Sequence, residues 1–271
     1  MTDRYLVLGN PVAHSLSPRI HAEFARATGE DIDYGRLEVP LGRFAEAVAQ
    51  LRAEGYRGAN VTVPFKEDAF RCATVLSERG RIAAAVNTLR FDGDALYGDN
   101  TDGCGLVTDL RRNLGVTLAG RRILLVGAGG AARGVLQPLC AERPAALVIA
   151  NRTPAKAAAL AQLAGPLASA AGFDALAGSA FDVVINATSA SIAGEVPPLP
   201  EGVFASGALA YDMMYAKGAA EGTPFLAWAR GHGAARAADG LGMLVEQAAE
   251  AFFVWRGVRP DTGPVFKQLR G

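Results

Sequence analysis

Short apolar runs alternate with amphipathic stretches along the first hundred positions of the chain. Strands are predicted at Leu6–Leu8, around Leu37 and Val39, and at Ala59–Val63, which Pro64 cuts. Helices are predicted from Ser17-Pro18 to Gly29 and from Phe44 to Gly55, where apolar residues recur three or four positions apart. This βαβαβ order predicts that the strands pair in parallel.

A hairpin signal follows this segment. Two apolar runs, Val86–Phe91 and Ala95–Tyr97, flank Asp92-Gly93, a dipeptide that favours the tight turn between antiparallel strands. The first sheet is therefore predicted to contain both parallel and antiparallel pairs.

After a helical stretch from Gly103 to Leu114, the alternation of strands and helices begins again. Strands are predicted at Ile123–Val126, Leu147–Ala150, Val183–Asn186 and Ala208–Tyr211. The alanine-rich residues 155–180 favour helix, and a long amphipathic helix is predicted over Leu241–Trp255, ending at Gly257. The pattern predicts an α/β protein with a domain boundary near residue 103, and it allows the last helix to pack on either domain.

The sequence around the strand Ile123–Val126 predicts a nucleotide site. The strand stops at a Gly127-x-Gly129-x-x-Ala132 pattern, the dinucleotide fingerprint, and a helix follows. The first glycine permits the turn, the second lets the backbone approach a pyrophosphate, and the small third residue lets the helix pack on the strand. The predicted cofactor-binding residues here are Gly127, Ala128, Gly129, Gly130 and Ala131.

The end of the next strand indicates which dinucleotide binds. A fold selective for NAD places Asp or Glu about 20 residues beyond the glycines, but this chain has Asn151-Arg152-Thr153 there, with Lys156 one helical turn later. A guanidinium can pair with a phosphate in a fork, and short polar side chains can donate to its oxygens. The sequence therefore predicts NADP; the alternative is that Arg152 is a surface arginine beside a helix start.

Composition narrows the class of protein. The chain has 271 residues, half of them hydrophobic, and its formal net charge is zero, which argues against nucleic acid or an anionic membrane as the main partner. We expect no membrane span, no signal peptide and a cytoplasmic location. Three cysteines and three histidines form no metal-binding pattern, so no metal is predicted and the thiols are expected to be reduced.

Several polar residues follow predicted strands of the first domain, where an α/β sheet presents its ligand site. They are Ser15, Ser17, Asn60, Thr62, Lys66, Asn87 and the run Asn100–Asp102. Lys66 is notable because the chain has few lysines and many arginines. Each residue also has an ordinary explanation, since serines before proline cap helices, Asn and Asp form turns, and lysine is commonly solvated.

Taken together, the motifs resemble those of the shikimate dehydrogenase family along nearly the whole chain. They are Gly9-Asn10-Pro11 with His14 to Pro18, Asn60 to Lys66, Ala85 to Thr88, Gly98 to Gly103, Gly127 to Ala132, Asn151 to Thr153, Asn186 to Ser189, Tyr211 to Met213 with Tyr215, and Gly242 to Leu244 with Gln247. One departure is Ser191, where the family often has glycine.

The resemblance implies an N-terminal substrate domain (1–103) with a mixed sheet and a Rossmann-type NADP domain (104–240) with a doubly wound parallel sheet. It places the active site in the cleft between them and packs 241–271 back on the first domain. It implies reversible, NADP-dependent reduction of 3-dehydroshikimate to shikimate, with Lys66 and Asp102 as the catalytic pair. The implied substrate-binding residues are Ser15, Ser17, Asn60, Thr62, Asn87, Tyr215 and Gln247.

The same resemblance adds Thr188, Met213 and Gly240 to the cofactor-binding residues. Two alternatives stay open at this point. One is a quinate/shikimate dehydrogenase with a broader choice of substrate and cofactor; the other is a dinucleotide sensor without catalysis, since a fold does not fix a function. The partner is expected to be the small-molecule substrate, and the chain is expected to be a monomer or a homodimer.

Overall fold

The structure is a computed structural model that describes residues 2–215 and 222–270. It divides into two compact units, Met1–Gly105 with Leu244–Gly271, and Leu106–Met243. Each unit is built around one sheet and has its own hydrophobic core.

The first unit begins with strands and helices in alternation. Its elements before the chain enters the second unit are β1 (Asp3–Gly9), α1 (Ser17–Thr28), β2 (Ile32–Glu38), α2 (Phe44–Ala53), β3 (Gly58–Val61), α3 (Lys66–Cys72), β4 (Val75–Leu76), α4 (Glu78–Ala83), β5 (Thr88–Asp92), β6 (Ala95–Asp99) and α5 (Asp102–Thr108). The second unit begins within α5, at Leu106. Within the described residues the sheet has six strands in the order β2-β1-β3-β5-β6-β4.

This first sheet is mixed, as the hairpin signal predicted. Strands β1, β2 and β3 pair in parallel, and β5 runs antiparallel to both β3 and β6. The carboxyl ends of β1, β3 and β6 and the amino end of β5 therefore lie along one edge of the sheet. The polar residues singled out in the sequence follow or precede the strands at this edge.

The second unit contains a fully parallel sheet. Its elements are β7 (Arg122–Val126), α6 (Gly130–Ala141), β8 (Ala146–Ala150), α7 (Pro154–Gln162), β9 (Ala168–Ala171), β10 (Phe181–Asn186), β11 (Phe204–Asp212), α8 (Pro224–Gly231) and β12 (Arg236–Asp239). Successive residues of β7 point into opposite cores: Ile123 and Leu125 into one, Leu124 and Val126 into the other. Burial on both faces explains why this strand is apolar throughout.

The strand order β12-β11-β10-β7-β8-β9 reverses direction at β7, with β10 on one side and β8 on the other. All pairs in the sheet are parallel. In a doubly wound sheet, ligands bind at the carboxyl ends of the strands beside such a reversal. The fingerprint Gly127–Ala132 directly follows β7 at this point.

Two helices complete the chain, α9 (Leu241–Arg256) and α10 (Gly263–Arg270). From Leu244 onward the chain belongs to the first unit. There, Val245, Ala248 and Phe252 of α9 form an apolar cluster with Ile20 and Phe24 of α1. Among the helices described by the structure, none combines the length and hydrophobicity required to cross a bilayer.

Some sequence predictions differ from these elements. The alanine-rich segment 155–180 is α-helical only to Gln162, with 3-10 turns at Gly165–Leu167 and Asp174–Leu176, and β9 follows at Ala168–Ala171, paired with β8. The predicted helix Gly103–Leu114 becomes a π-helical turn at Asp109–Asn113. The two-residue strand β4 and the strand β12 have no counterpart in the prediction.

Candidate active site

Lys66 and Asp102 form an ion pair in the first unit. Lys66 begins α3 just after β3, and Asp102 begins α5 just after β6. The Lys66 Nζ donates to Asp102 Oδ2 at 2.5 Å. The side chains are 18% and 6% exposed, respectively, so the carboxylate is buried while the ammonium keeps access to the surface. This arrangement leaves the lysine free to exchange a proton with a ligand while the carboxylate holds it in place.

Asn87 connects this pair to neighbouring polar groups. Its Nδ2 lies 2.8 Å from Asp102 Oδ1, 3.0 Å from Thr101 Oγ1 and 3.2 Å from Gln247 Oε1. Its Oδ1 accepts the Thr101 backbone N–H at 2.9 Å. Asn87, Asp102 and Gln247 are all less than one-tenth exposed. The structure thus brings together Lys66, Asn87, Asp102 and Gln247, all predicted from sequence, with Thr101, which the sequence singled out without assigning it a role.

The two serines lie at the start of α1, after β1. Ser15 Oγ accepts the backbone N–H of Ser17 at 3.2 Å, which uses a lone pair and leaves the Ser15 hydroxyl proton free to donate. The Ser17 side chain is buried beside the hydroxyl of Tyr34. The N-cap residue of α1 is Leu16, whose side chain makes no capping hydrogen bond, so neither serine occupies the N-cap position.

Asn60 lies beneath these groups, with all of its hydrogen-bonding positions occupied. Its Oδ1 accepts from the Tyr34 hydroxyl at 2.7 Å and lies 3.2 Å from His21 Nε2, while its Nδ2 contacts the Asn87 carbonyl and Thr88 Oγ1 at 3.2 and 3.3 Å. An amide side chain has two donors and two acceptor lone pairs, so none is left over for a ligand. Thr62, by contrast, is partly exposed just beyond β3.

The fingerprint of the second unit has the geometry of a phosphate-binding turn. Gly127 has φ +110°, and a β-carbon there would lie 3.1 Å from Thr188 Cγ2 and 3.2 Å from the Ala187 carbonyl oxygen. Gly129 precedes the first residue of α6, and the space above Gly129 and Gly130 is open to 4 Å. The backbone N–H groups of a first helical turn have no partner within the helix, so they can receive a pyrophosphate.

Arg152, Thr153 and Lys156 are exposed between β8 and the first turn of α7. Asn151 is half-buried and its Nδ2 donates to the Thr153 carbonyl at 3.0 Å, which closes the turn. Thr153 precedes α7 without capping it by its side chain, so its hydroxyl is free for another partner. Within the described ranges, Arg152 and Lys156 enter no ion pair, and both charges are therefore available to a phosphate.

Thr188, Met213 and Gly240 follow three adjacent strands, β10, β11 and β12. Thr188 donates its backbone N–H and its hydroxyl to Asn186 Oδ1, and the Met213 N–H donates to the Asn186 carbonyl at 2.9 Å. A β-carbon at Gly240 would lie 2.2 Å from the Met213 carbonyl oxygen, so only glycine fits. The three residues thus lie at the carboxyl edge that also carries the fingerprint.

A buried carboxylate, Asp212, fixes these loops. It accepts from Ser191 Oγ at 2.7 Å, Thr223 Oγ1 at 2.5 Å and the Met214 N–H at 3.0 Å. Burial raises the pKa of Asp212 above its ordinary value, although these donors oppose the shift. Ser191, the departure from the family pattern, is therefore one of the donors that hold the loop after β10 to the end of β11.

Comparison with known proteins agrees with this geometry. Models of three domain families match residues 7–89 (shikimate dehydrogenase substrate binding domain), 109–193 (shikimate / quinate 5-dehydrogenase) and 240–270 (shikimate 5'-dehydrogenase C-terminal domain). A Dechloromonas aromatica protein named shikimate dehydrogenase (NADP(+)) is 60% identical, over 100% of this chain and 98% of its own length. The chain belongs to the shikimate dehydrogenase family.

Solved structures of family members and related enzymes have the same fold. The crystal structure of an Ael1 enzyme from Pseudomonas putida has a TM-score of 0.91 and 50% identity, covering 99% of this chain and 98% of that one. A shikimate 5-dehydrogenase from Thermus thermophilus, in complex with NADP(H) and shikimate, has a TM-score of 0.86 and 32% identity, covering 99% of both chains. Family membership and the α/β two-domain fold with one mixed and one parallel sheet, both predicted from sequence, are confirmed.

Tyr215 belongs to the second unit and directly precedes residues 216–221, which lie outside the described residues, so its role toward the substrate stays a prediction. Among the described side chains, no group of three or more His, Cys, Asp or Glu residues is placed to hold a metal ion.

Sequence reasoning assigned no role to several residues that hydrogen-bond to the candidate residues or to their neighbours, namely His21, Tyr34 and Arg79 in the first unit and Asp212 in the second. His21 falls one helical turn after Ser17 on the apolar face of α1, a spacing that signals burial but not a hydrogen-bonding role. The partners of Tyr34 and Asp212 come from other elements, so no local pattern indicates them.

His21 makes the stability of the first unit depend on pH. The ring is fully buried, and because Asn60 Oδ1 can only accept, Nε2 carries the proton; Nδ1 has no partner among the described atoms. Burial lowers the pKa of His21 from 6.5 to about 3. The imidazole therefore stays neutral in the folded protein while it takes up a proton in the unfolded chain below pH 6.5.

Stability is accordingly full above pH 6.5 and is lost progressively as the pH falls toward 3. Between pH 7 and pH 5, we expect His21 to reduce the free energy of unfolding by about 2 kcal/mol. His21→Gln keeps an N–H donor that does not titrate. In urea titrations, its free energy of unfolding should therefore fall by about 2 kcal/mol less than that of wild type between pH 7 and pH 5. His232→Gln, at an exposed histidine, is the control, and an equal pH dependence for wild type and His21→Gln would contradict the assignment.

Proposed function

We propose that the chain catalyses the reversible, NADP-dependent reduction of 3-dehydroshikimate to shikimate. The observation that carries the proposal is the ion pair of Lys66 with Asp102, 2.5 Å long and surrounded by the hydrogen-bonding groups of Asn87, Thr101 and Gln247. A pure dinucleotide sensor has no need of such a proton-transfer pair. The names of the D. aromatica relative and of the T. thermophilus complex support the same substrate and cofactor.

NADPH, when bound, supplies the hydride that reduces the substrate's carbonyl carbon. The oxygen on that carbon must then gain a proton, and Lys66 is the partly exposed acid placed to give it. Asp102 Oδ2 keeps the lysine in position, while Asn87 holds Asp102 Oδ1 at 2.8 Å. In the reverse direction the neutral lysine takes the proton back from the substrate hydroxyl.

The residues proposed to hold the cofactor are those of the carboxyl edge of the second sheet. The turn at Gly127–Gly130 and the first turn of α6 suit the pyrophosphate. Arg152, Thr153 and Lys156 suit a 2′-phosphate because they are exposed donors at the end of β8. Thr188, Met213 and Gly240 follow the neighbouring strands, where the nicotinamide half of a dinucleotide is expected.

Cys72, Cys104 and Cys140, all within the described residues, form no disulfide bond, which supports the reducing cytoplasm as the location. The proposal holds for a monomer and a homodimer alike, because Lys66, Asp102 and the fingerprint belong to one chain.

The decisive test is a turnover assay that crosses shikimate or quinate with NADP or NAD and follows the absorbance of the reduced nicotinamide. We expect efficient turnover for shikimate with NADP. Equal turnover of quinate, or use of NAD as well, would favour the broader quinate/shikimate dehydrogenase, which the description of the matching central domain also names. Binding of NADP without turnover of either substrate would favour the sensor.

The serines at the start of α1 give a prediction about substrate affinity. Replacing Ser15 and Ser17 together with alanine removes two hydroxyls proposed to face the substrate carboxylate. If the lost hydrogen bonds follow the usual scale, the KM for shikimate should rise roughly 5- to 150-fold, while the KM for NADP stays as in wild type. Steady-state kinetics with each substrate varied in turn measures both constants, and an unchanged shikimate KM would show that the serines serve only the local backbone.

A further inference from the structure

Arg79 of α4 connects two other elements of the first unit. Its Nε and Nη2 donate to the two carboxylate oxygens of Asp99, both at 2.7 Å, and its Nη1 donates to Glu250 Oε1 at 2.8 Å. Asp99 ends β6, and Glu250 lies in α9. Both carboxylates are less than one-tenth exposed, whereas Arg79 is two-thirds buried.

The Asp99 contact leads to the catalytic carboxylate. Asp99 Oδ1 also accepts the backbone N–H of Asn100 at 2.7 Å. Asn100 Oδ1 in turn accepts the backbone N–H of Asp102 at 3.1 Å, and its Nδ2 is held by the Ala85 carbonyl at 3.0 Å. The turn that aims Asp102 at Lys66 is therefore anchored on a carboxylate that Arg79 neutralises.

The Glu250 contact leads to a different part of the site. Gln247 precedes Glu250 by three positions on α9, so both side chains lie on the same side of the helix. Gln247 Oε1 accepts from Asn87 Nδ2 at 3.2 Å and from Thr101 Oγ1 at 3.3 Å. Because Glu250 is held, the position of α9 along its own axis and its rotation about that axis are fixed. The position of the Gln247 side chain is fixed with them.

We propose that Arg79 is a positioning residue for the reaction. By binding both Asp99 of β6 and Glu250 of α9, it sets the distance between Asp102 and Gln247. This inference rests on the proposed function, because it takes Asp102 and Gln247 to serve the reaction. Arg79 itself touches none of the residues assigned to the substrate by hydrogen bond or ion pair in the described structure, and acts through Asp99 and Glu250.

The charges explain why an arginine is needed. Burial alone would raise the pKa of Asp99, but the hydrogen bonds and charge of Arg79 hold it below its ordinary value; at Glu250, Arg259 and Arg79 together have the same effect. Two buried carboxylates in a small region require a cation that reaches both. A guanidinium does so in one plane, whereas the single ammonium of a lysine cannot form the fork to Asp99 and also reach Glu250.

Arg256 provides a matched control within the same unit. It also joins two carboxylates, Asp3 of β1 and Glu30 between α1 and β2, and its side chain is 21% exposed, against 33% for Arg79. Its contacts lie at the far end of α9 and at the start of β1, away from Asp102 and Gln247. Arg79→Lys and Arg256→Lys therefore each weaken ion pairs to two carboxylates, those of Arg256 being the more exposed, and only the pairs of Arg79 support the site.

In the full-length enzyme, Arg79→Lys should lower kcat/KM for shikimate about tenfold, with contributions from both kcat and KM, and leave the KM for NADP unchanged. Arg256→Lys should lose similar thermal stability and keep wild-type kinetics. Equal kinetics in the two variants, whether both normal or both reduced in proportion to stability, would overturn the proposal. A wild type inactive on shikimate would instead contradict the proposed function.

Glu250→Gln and amide hydrogen exchange test the role of Arg79 independently of the kinetics of Arg79→Lys. Glu250→Gln keeps the size of the side chain and weakens the α9 contact of Arg79, together with the ion pair to Arg259, but leaves the Asp99 contact intact, so it should raise the shikimate KM several-fold with kcat within about twofold. Hydrogen exchange at the Asn100 and Asp102 amides, which needs no substrate, should accelerate in Arg79→Lys but not in Arg256→Lys. Unchanged exchange at both amides would refute the positioning role of Arg79 even if the enzyme proved to act on another substrate.

Discussion

Lys66→Met is expected to lower kcat for shikimate oxidation by about 10²- to 10⁴-fold, the usual range for loss of a general acid or base. Methionine keeps a similar length and apolar stem but has no proton to exchange. KM should change less than kcat, because the lysine acts on an oxygen whose charge changes mainly in the transition state. Steady-state kinetics with NADP at saturation measures both constants.

Lys267→Met is the control for this experiment. Lys267 is exposed on α10 and forms no ion pair in the described part of the chain, so its loss should leave kcat unchanged. Near-normal turnover by Lys66→Met would mean that another group, or water, moves the proton. The pair with Asp102 would then be structural.

Arg152→Ala is expected to raise the KM for NADP roughly 10- to 100-fold and to leave the weak use of NAD almost unchanged. The reason is that a charge-assisted hydrogen bond to the 2′-phosphate is lost, whereas NAD has no phosphate at that position. The exposure of Arg152 at the end of β8 leaves its guanidinium available for this contact. Kinetics with NADP and NAD in parallel gives the ratio directly.

Arg121→Ala serves as the control because Arg121 directly precedes β7, at the amino edge of the sheet and opposite the predicted phosphate site. Its KM values should match those of wild type. A wild type that uses NAD as efficiently as NADP, or an Arg152→Ala variant with an unaltered NADP KM, would remove the phosphate-binding role from Arg152.

The sequence placed candidate residues best where they follow the end of a strand. Lys66, Asp102 and Gly127 could be located because each lies within five positions of the end of a β-strand, and parallel strands bring their carboxyl ends to one edge. The hairpin at Asp92-Gly93 was equally visible because its turn chemistry is local. These signals depend on neighbours in the chain.

Edge strands were missed for the opposite reason. β9, with the sequence Ala-Ser-Ala-Ala, and β12, with Arg-Ala-Ala-Asp, consist mainly of small residues that favour helix in isolation. They are strands because β8 and β11 offer them a free ladder of backbone groups. Strand preference depends strongly on such context, which the local sequence does not contain.

The hydrogen-bond partners of the candidate residues could not be predicted from the sequence, because they too come from distant parts of the chain. Asn60 was predicted to contact the substrate, yet the fold surrounds it with Tyr34, His21, Asn87 and Thr88, which lie up to 39 positions away in the chain. Its polarity marked it as important without indicating what it would face. The number of free hydrogen-bonding positions on a side chain becomes known only when its partners are.

The predicted nucleotide-binding residues of the second unit all follow the carboxyl ends of strands, so the opposite edge of that sheet is available for engineering. Ala145 and Ala177 are exposed there, before β8 and β10. A dye coupled to Ala145→Cys or Ala177→Cys would report from the far side of the sheet without obstructing Gly127 or Arg152. The same positions suit a linker to a solid support, which would let the enzyme be immobilised with its nucleotide crevice facing the solution.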